Sequence, residues 1–360
     1  MAITTKAFVL DQLDVAPELE DVRVEEPGTR EVRVHLTASG VCHTDLSAVH
    51  NARAVPMVLG HEGAGIVEHI GTDVRAVKVG DPVIVSWRAA CGHCRRCNSG
   101  RQDLCETVLT TAEPRIHRMN GQPLHLILNA GTFCEYVVVP EEAAIRIPAE
   151  MPLEKAALIG CGVATGIGAV LHTARVQTGE NVAIFGVGGV GLNVVQGARL
   201  AHAGMIIAVD INESKLKRAS ELGATHILNS KLVDPVNAIL ELTQGRGVEH
   251  AFEVVGLSKL MDQALQTLAR GGELTMVGGA EPNDAFSFLP RWFLSKQQVM
   301  RGCVYGNCRP PRDFPLFVDW YLNGQLHLDE LLSNFARLEQ LPEIFNGASH
   351  PDSVRTVIRF

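Results

Sequence analysis

No block of Lys or Arg interrupts this sequence. Its 32 basic residues are outnumbered by 40 acidic ones, for a formal net charge of −8. Such a balance disfavours nucleic acid and anionic membrane as partners. Long apolar runs are missing too, and none approaches the ~20 residues of a membrane helix. The start, Met1-Ala-Ile-Thr-Thr-Lys6, lacks the charged and apolar regions of a secretory leader. Internal repeats and low-complexity stretches are absent. These absences predict a cytoplasmic protein, and the charge alone names no partner. Thiols stay reduced in that compartment, so the nine cysteines need an explanation other than disulfides, and metal is the first to test.

The 360 residues, 46% of them hydrophobic, predict two domains with sizeable cores. Up to about residue 140, short alternating runs such as Val22–Glu25, Glu31–Leu36, Ala64–Gly71 and Asp81–Trp87 predict strands broken by Gly and Pro turns. After about residue 150 the pattern changes. Strands are expected at Asn181–Phe185, Met205–Asp210, His226–Leu228, His250–Val255 and Glu273–Val277. Helices between them are expected at Gly191–His202, Glu213–Leu222, Pro235–Thr243 and Met261–Leu268. Strand and helix in alternation imply an α/β fold, a doubly wound parallel sheet with helices on both faces. The tail ends in a predicted strand within Val354–Phe360.

Gly186-Val-Gly-Gly-Val-Gly191 fits G-x-G-x-x-G. The pattern alone is weak. Here it follows a buried strand and opens a helix, and Asp210 ends the next strand, which completes the context of a dinucleotide site. Gly186 permits the tight turn, Gly188 lets backbone approach the pyrophosphate, and Gly191 lets helix and strand pack closely. Gly189 and Val190 complete the glycine-rich loop, and the N-terminus of the helix that follows offers free N–H groups to the pyrophosphate. Asp210 can accept from both ribose hydroxyls and would repel a 2′-phosphate. Ile211 and Asn212 supply no compensating cation, so NAD is expected rather than NADP.

Cys91-x-x-Cys94-x-x-Cys97-x7-Cys105 puts four thiols within fifteen residues of polar, Gly-rich chain. Four thiolates complete a tetrahedral zinc site, which is then structural. An iron–sulfur cluster and unligated thiols are the competing readings. His93 lies inside the loop but is surplus to four Cys. A second set is scattered over Gly-punctuated loops: Cys42, His61 and Cys161. Three ligands and an open position would make a catalytic zinc, but the loose spacing leaves metal and simple packing equally open.

At these residues the sequence resembles the zinc-containing medium-chain dehydrogenase/reductases, specifically the alcohol dehydrogenases and their actinobacterial type. Gly60-His-Glu-Gly63 through Gly71 matches the family's zinc signature. Val41-Cys-His-Thr-Asp45, the four-Cys loop, Gly160-Cys-Gly-Val-Ala-Thr-Gly166, Gly186–Gly191 and Ser353-Val-Arg-Thr-Val-Ile match in order and spacing. The resemblance implies a β-rich GroES-like catalytic domain from 1–160 and 305–360, and a Rossmann NAD-binding domain from 161–304. It implies catalytic zinc on Cys42, His61 and Cys161, structural zinc on the four-Cys loop, and Glu62 behind the catalytic metal. Asp45 would orient His61. Thr44 would bond the alcohol hydroxyl and open a proton relay. His43 and Arg355 would meet the pyrophosphate, Lys215 the adenosine ribose, and Thr165 and Val277 the nicotinamide side. Trp87 would wall the substrate pocket. Ser47 departs from the pattern, because many relatives carry His there as the base that ends the relay. A relay ending in water or another base is therefore expected.

The reaction expected is reversible hydride transfer between NAD and a primary alcohol or its aldehyde, aromatic or allylic if Trp87 narrows the pocket. Trp87-Arg-Ala-Ala-Cys91 and Tyr305-Gly-Asn-Cys-Arg309 resemble actinobacterial-type dehydrogenases, some of which oxidise a thiol adduct of formaldehyde, which gives an alternative substrate. A zinc-free, non-catalytic relative is the reading from another class, and the Cys/His/Cys set argues against it. Cys134, Cys303 and Cys308 are expected to be buried bystanders. The long stretch between Cys105 and Gly131, and a strand near Val299–Val304 suited to cross-subunit pairing, point to a homodimer, with a tetramer as the other option.

Overall fold

The computed structural model describes residues 1–348 and 353–360. It divides into two compact units, Met1–Cys161 with Arg309–Phe360, and Gly162–Cys308. The divisions thus fall after 161 and 308, where the sequence suggested 160 and 304. Cys161 goes with the β-rich unit, and Tyr305–Cys308 go with the other.

The first unit is built on two main sheets, with a short two-stranded ladder, Ala89–Ala90 on Val108–Leu109, beside the four-Cys loop. The larger runs Ala144–Arg146, Pro82–Val85, Glu62–Ile70, Glu31–Gly40, Arg355–Arg359 and Leu332–Arg337, with Tyr136–Pro140 also on Glu31–Gly40. Its alternating valines and leucines turn inward: Val32, Val34, Leu36, Val67, Val83, Val85, Val137 and Val139 form one buried cluster. Burying such a side chain contributes roughly 1.5–3 kcal/mol, enough to fix register along Glu31–Gly40. The smaller sheet pairs Ile3–Leu10 with Glu18–Val24 and Met57–Val58. C-terminal Arg355–Arg359 pairs with Ala38–Gly40, so the chain's last strand lies beside the segment that leads to Cys42.

The second unit holds a six-stranded parallel sheet. Across it the strands are His226–Asn229, Ile206–Asp210, Val182–Phe185, Val248–Glu253, Leu268–Met276 and Val299–Gly302. In chain order that is third, second, first, fourth, fifth, sixth, the doubly wound order of dinucleotide-binding folds. Ile184, Phe185, Ile207, Ala208, Ala251 and Phe252 are fully buried, as strands covered on both faces must be. The predicted elements are all present, with ends shifted by one to five residues.

Leu153–Ala174 forms a continuous helical stretch of 22 residues, long and apolar enough to cross a membrane. Its most apolar window is 83% buried inside the protein, so it serves as a core helix.

Candidate zinc centres and dinucleotide site

Each member of the scattered set is held at the end of an element. Cys42 caps the helix His43–Asn51. Gly60, at φ +87°, turns the chain so that His61 enters the larger sheet just before Glu62–Ile70. A side chain at Gly60 would strike Phe133, and L residues resist that φ in any case. Cys161 lies in a π-helical stretch, Ile159–Val163, a local widening often found at functional sites. The ligand atoms of Cys42, His61, Glu62 and Cys161 all lie within 4.8 Å of one another. All four residues are buried.

Asp45 organises them, and it is itself fully buried. Its Oδ1 accepts from His61 Nδ1 at 2.9 Å and from Gly60 N at 3.0 Å. Its Oδ2 accepts from Cys42 N at 3.1 Å. A carboxylate facing three N–H groups can only accept, so Nδ1 carries the proton and Nε2 presents a lone pair. Nε2 is buried and has no hydrogen-bond partner among the described residues. Burial opposes protonation of His61, but Asp45 holds the ring's basicity well above its usual value, as a nitrogen donor to a cation requires. Cys42 is driven toward thiolate by the hydrogen bond from Cys161 and, against its burial, by Arg355. An unpartnered imidazole nitrogen, two thiols and a carboxylate in one enclosed cluster fit zinc, and they leave room for an exogenous oxygen as a ligand.

Glu62 is enclosed, and neither of its oxygens has a hydrogen-bond partner. Burial pushes its carboxyl up to about 7. Arg355 Nη2 stands 3.5 Å from Oε1, and Arg355 Nη1 donates to Val41 O at 3.2 Å. The guanidinium expected at the pyrophosphate is therefore buried against Glu62 in this structure. That pairing carried no local sequence signal, because the partners are 293 residues apart (355 − 62).

Thr44 is exposed, with Oγ1 3.8 Å from Cys42 Sγ as its acceptor. His43 is exposed and Ser47 half-buried on the same helix. His50, one turn beyond Ser47, has Nδ1 2.7 Å from Asp14 Oδ1 at the surface. Trp87 is half-buried and packs against the core valines of the larger sheet.

The four-Cys loop closes on itself. The Sγ atoms of Cys91 lie 4.0 Å from Cys97 and 3.5 Å from Cys105, and Cys94 lies 4.0 Å from Cys105. Zinc–sulfur bonds of about 2.3 Å in a tetrahedron require sulfur atoms about 3.8 Å apart. Backbone N–H groups of Cys91, Cys94 and Cys97 point at the sulfurs of Cys105, Cys91 and Cys94. Cys94 is drawn down to about 6 by hydrogen bonds from the Glu106 and Cys97 backbones. Cys97, desolvated, is pushed up to about 12. His93 turns away, with Nδ1 on Cys91 O at 2.8 Å.

In the second unit Gly186 has φ +94°, and a Cβ on Gly191 would lie 1.9 Å from Gly186 O. Gly188 caps the helix Gly189–Leu200 and has open space where a Cβ would be. Gly189, Val190 and Gly191 form the helix's first turn. Asp210 Oδ2 accepts from Val187 N at 2.9 Å, and Oδ1 accepts from Ile211 N and Asn212 N. The acid therefore ties the glycine-rich loop to the next strand while Oδ2 keeps a lone pair to offer. Lys215, Thr165 and Val277 are half-buried. Cys134, Cys303 and Cys308 are buried.

Comparison with known proteins agrees with this geometry. Residues 28–149 match the alcohol dehydrogenase GroES-like domain, and 189–323 match the zinc-binding dehydrogenase domain. S-(hydroxymethyl)glutathione dehydrogenase of Paracoccus denitrificans is 35% identical over 99% of this chain and 100% of its own. A solved alcohol dehydrogenase zinc-binding domain protein from Burkholderia ambifaria superposes with a TM-score of 0.94 at 36% identity, covering both chains fully. Benzyl alcohol dehydrogenase of Acinetobacter calcoaceticus gives 0.91 at 30%, covering 99% of each. Two metal-ligating clusters, a doubly wound sheet and near full-length relatives agree: the chain belongs to the zinc-containing alcohol dehydrogenase family.

Proposed function

We propose that this NAD-dependent zinc dehydrogenase oxidises the S-hydroxymethyl adduct that formaldehyde forms with a small thiol. The observation that carries this reading is the near end-to-end match at 35% identity to an S-(hydroxymethyl)glutathione dehydrogenase. It replaces a simple primary alcohol as the leading substrate, although both present the same –CH2–OH group to the site. The carbon loses hydride to the nicotinamide, the hydroxyl loses its proton, and the products are the S-formyl thiol, NADH and H+.

Cys42, His61 and Cys161 would hold the catalytic zinc, with Glu62 behind them. Bound there, zinc supplies Lewis acidity to the substrate oxygen. Asp45 keeps His61 oriented and its nitrogen basic. Thr44, exposed beside Cys42, accepts the hydroxyl proton and hands it on. Ser47 follows at i+3 on the same helix, a neighbouring position, and passes the proton to water. His50, held by Asp14 at the surface, follows Ser47 by three residues on that helix. Gly186–Gly191 take the pyrophosphate, with His43 and, once it turns from Glu62, Arg355 as its side-chain partners. Asp210 takes the adenosine ribose with Lys215, and Thr165 and Val277 flank the nicotinamide.

Benzylic alcohols are the second reading. The benzyl alcohol dehydrogenase likeness and the aromatic Trp87 favour it. Initial rates with NAD separate the two. Formaldehyde offered with glutathione or another cellular thiol should give far higher kcat/KM than benzyl alcohol or formaldehyde alone. Thiol-independent turnover of benzyl alcohol at the higher rate would refute the thiol reading.

We also infer a homodimer. Val299–Gly302 is an edge strand of its sheet, and Leu289, Trp292, Leu294 and Val304 nearby are each more than half exposed. Sedimentation equilibrium tests it, and a monomer at micromolar concentration would refute it. Nine thiols without a disulfide support a cytoplasmic location.

A further inference from the structure

Glu253 ends the central strand Val248–Glu253 of the second unit and is fully buried. Its Oε1 accepts from three successive backbone N–H groups: Val255 at 2.9 Å, Gly256 at 2.8 Å and Leu257 at 3.4 Å. Its own carbonyl accepts from Val277 N at 2.8 Å and Gly278 N at 3.1 Å. The other carboxylate oxygen, Oε2, is enclosed without a partner. An unsatisfied buried carboxylate oxygen is costly, and burial pushes this carboxyl above its ordinary range despite the three N–H bonds. A role in core stability alone would be better served by an apolar side chain.

The turn wrapped round this carboxylate touches both neighbouring loops. Val254 N donates to Phe185 O at 3.0 Å. A Cβ placed on Gly186 would lie 2.4 Å from Val255 Cγ2. On the other side, a Cβ on Gly256 would lie 2.4 Å from Gly279 O, and one on Gly278 would lie 2.1 Å from Gly256 N. Gly256 has φ +92°. Three backbone segments therefore meet closely at the carboxyl ends of adjacent strands, with the Val255 side chain against Gly186 and bare backbone between Gly256 and Gly278–Gly279. In open α/β sheets that is where the ligand sits.

We propose that Glu253 is a positioning residue for the dinucleotide. Its carboxylate fixes the turn 254–257, and that turn sets the spacing between the glycine-rich loop at Gly186 and the segment Val277–Gly279. Glu253 touches neither cofactor nor substrate. The proposal goes beyond the choice of alcohol and stands whichever alcohol is oxidised.

The test uses the full zinc-loaded chain and NADH as the probe, titrated by fluorescence without alcohol. Glu253→Ala should raise the NADH Kd by about tenfold, the scale of one hydrogen bond to a charged group. In the apoprotein, amide exchange at Val255, Gly256 and Leu257 should accelerate. Glu253→Gln keeps an acceptor for the three N–H groups and should stay within about threefold of the parent Kd, roughly half the energy of a tenfold change. A lowered melting temperature with unchanged NADH affinity in Glu253→Ala would make the residue merely structural and overturn the proposal. Equal weakening by Ala and Gln would also overturn it, because charge rather than turn geometry would then matter. Should Glu253→Ala fail to fold, Gly256→Ala strains the same turn against Gly279. It must then weaken NADH binding, and unchanged affinity overturns the proposal.

Discussion

Asp45→Asn changes one atom at the centre of the catalytic cluster. The carboxylate accepts three N–H bonds between 2.9 and 3.1 Å, from His61, Gly60 and Cys42. An amide has one accepting and one donating end. With its oxygen on His61 and Gly60, its NH2 faces Cys42 N–H. The opposite flip sets NH2 against two donors, so the first orientation wins at the loss of one charge-assisted bond, about 1.5–3 kcal/mol. The negative charge that keeps the His61 nitrogen basic is lost as well. Removing such a partner from a metal-bound histidine typically lowers affinity 10–100-fold, about 1.4–2.7 kcal/mol. The assay is dialysis against zinc-buffered solutions, with bound zinc measured by mass spectrometry. The parent should hold two ions per chain. The variant should release one of them at free zinc roughly 10–100-fold higher than the parent does, and the other should be unaffected. Retention of both ions at parental affinity would refute the argument.

Three further outcomes follow from the same geometry. Cys97→Ser breaks the closed four-sulfur loop, so one zinc per chain should disappear and melting should fall, while Cys42 stays protected by metal from alkylation. Equal alkylation of Cys42 in variant and parent apoprotein and holoprotein would count against separate sites. Ser47→His restores a base one turn after Thr44 and should raise alcohol turnover at the acidic end of the pH profile; an unchanged profile means the relay does not pass through that position. Asp210→Asn removes the charge that repels a 2′-phosphate and should raise kcat/KM with NADP by about tenfold, the scale of one exposed-to-half-buried charge contact of about 1.4 kcal/mol. It should also weaken NAD, because Val187 N loses its charged acceptor. No gain with NADP would show that Asp210 does not discriminate.

What was legible in the sequence was what is local along the chain. Gly186–Gly191 and Asp210 lie within 25 residues (186 to 210), and the four-Cys loop within fifteen (91 to 105), so spacing alone described both. Strand and helix periodicity gave the doubly wound sheet because each element carries its own pattern. The catalytic cluster was different. Cys42, His61 and Cys161 are brought together by sheet pairing and a π-helical turn, and neither leaves a spacing signature. Family resemblance supplied what local reading could not. Arg355 on Glu62 was missed for the same reason. Glu253 left a faint mark that was overlooked: an acid closing the buried run Ala251-Phe252 just before Val-Val-Gly. A charge at the end of an enclosed strand must find backbone donors, and here it found three.

The two metal centres differ in how they neutralise charge, and that difference separates their chemistry. In the four-Cys loop the sulfurs face backbone N–H groups from within the loop, and four thiolates leave no coordination position open. At Cys42 the compensation comes from side chains of distant segments: Asp45 beneath His61, and Arg355 against Glu62. A carboxylate that is buried, raised to about 7 and paired to its guanidinium only at 3.5 Å is held loosely enough to change partners. On this reading Glu62 would be the carboxylate able to approach or leave a metal on Cys42, His61 and Cys161, while Asp45 is anchored by three hydrogen bonds. A site meant to exchange one ligand needs one fixed carboxylate and one free one, and these two residues divide that task.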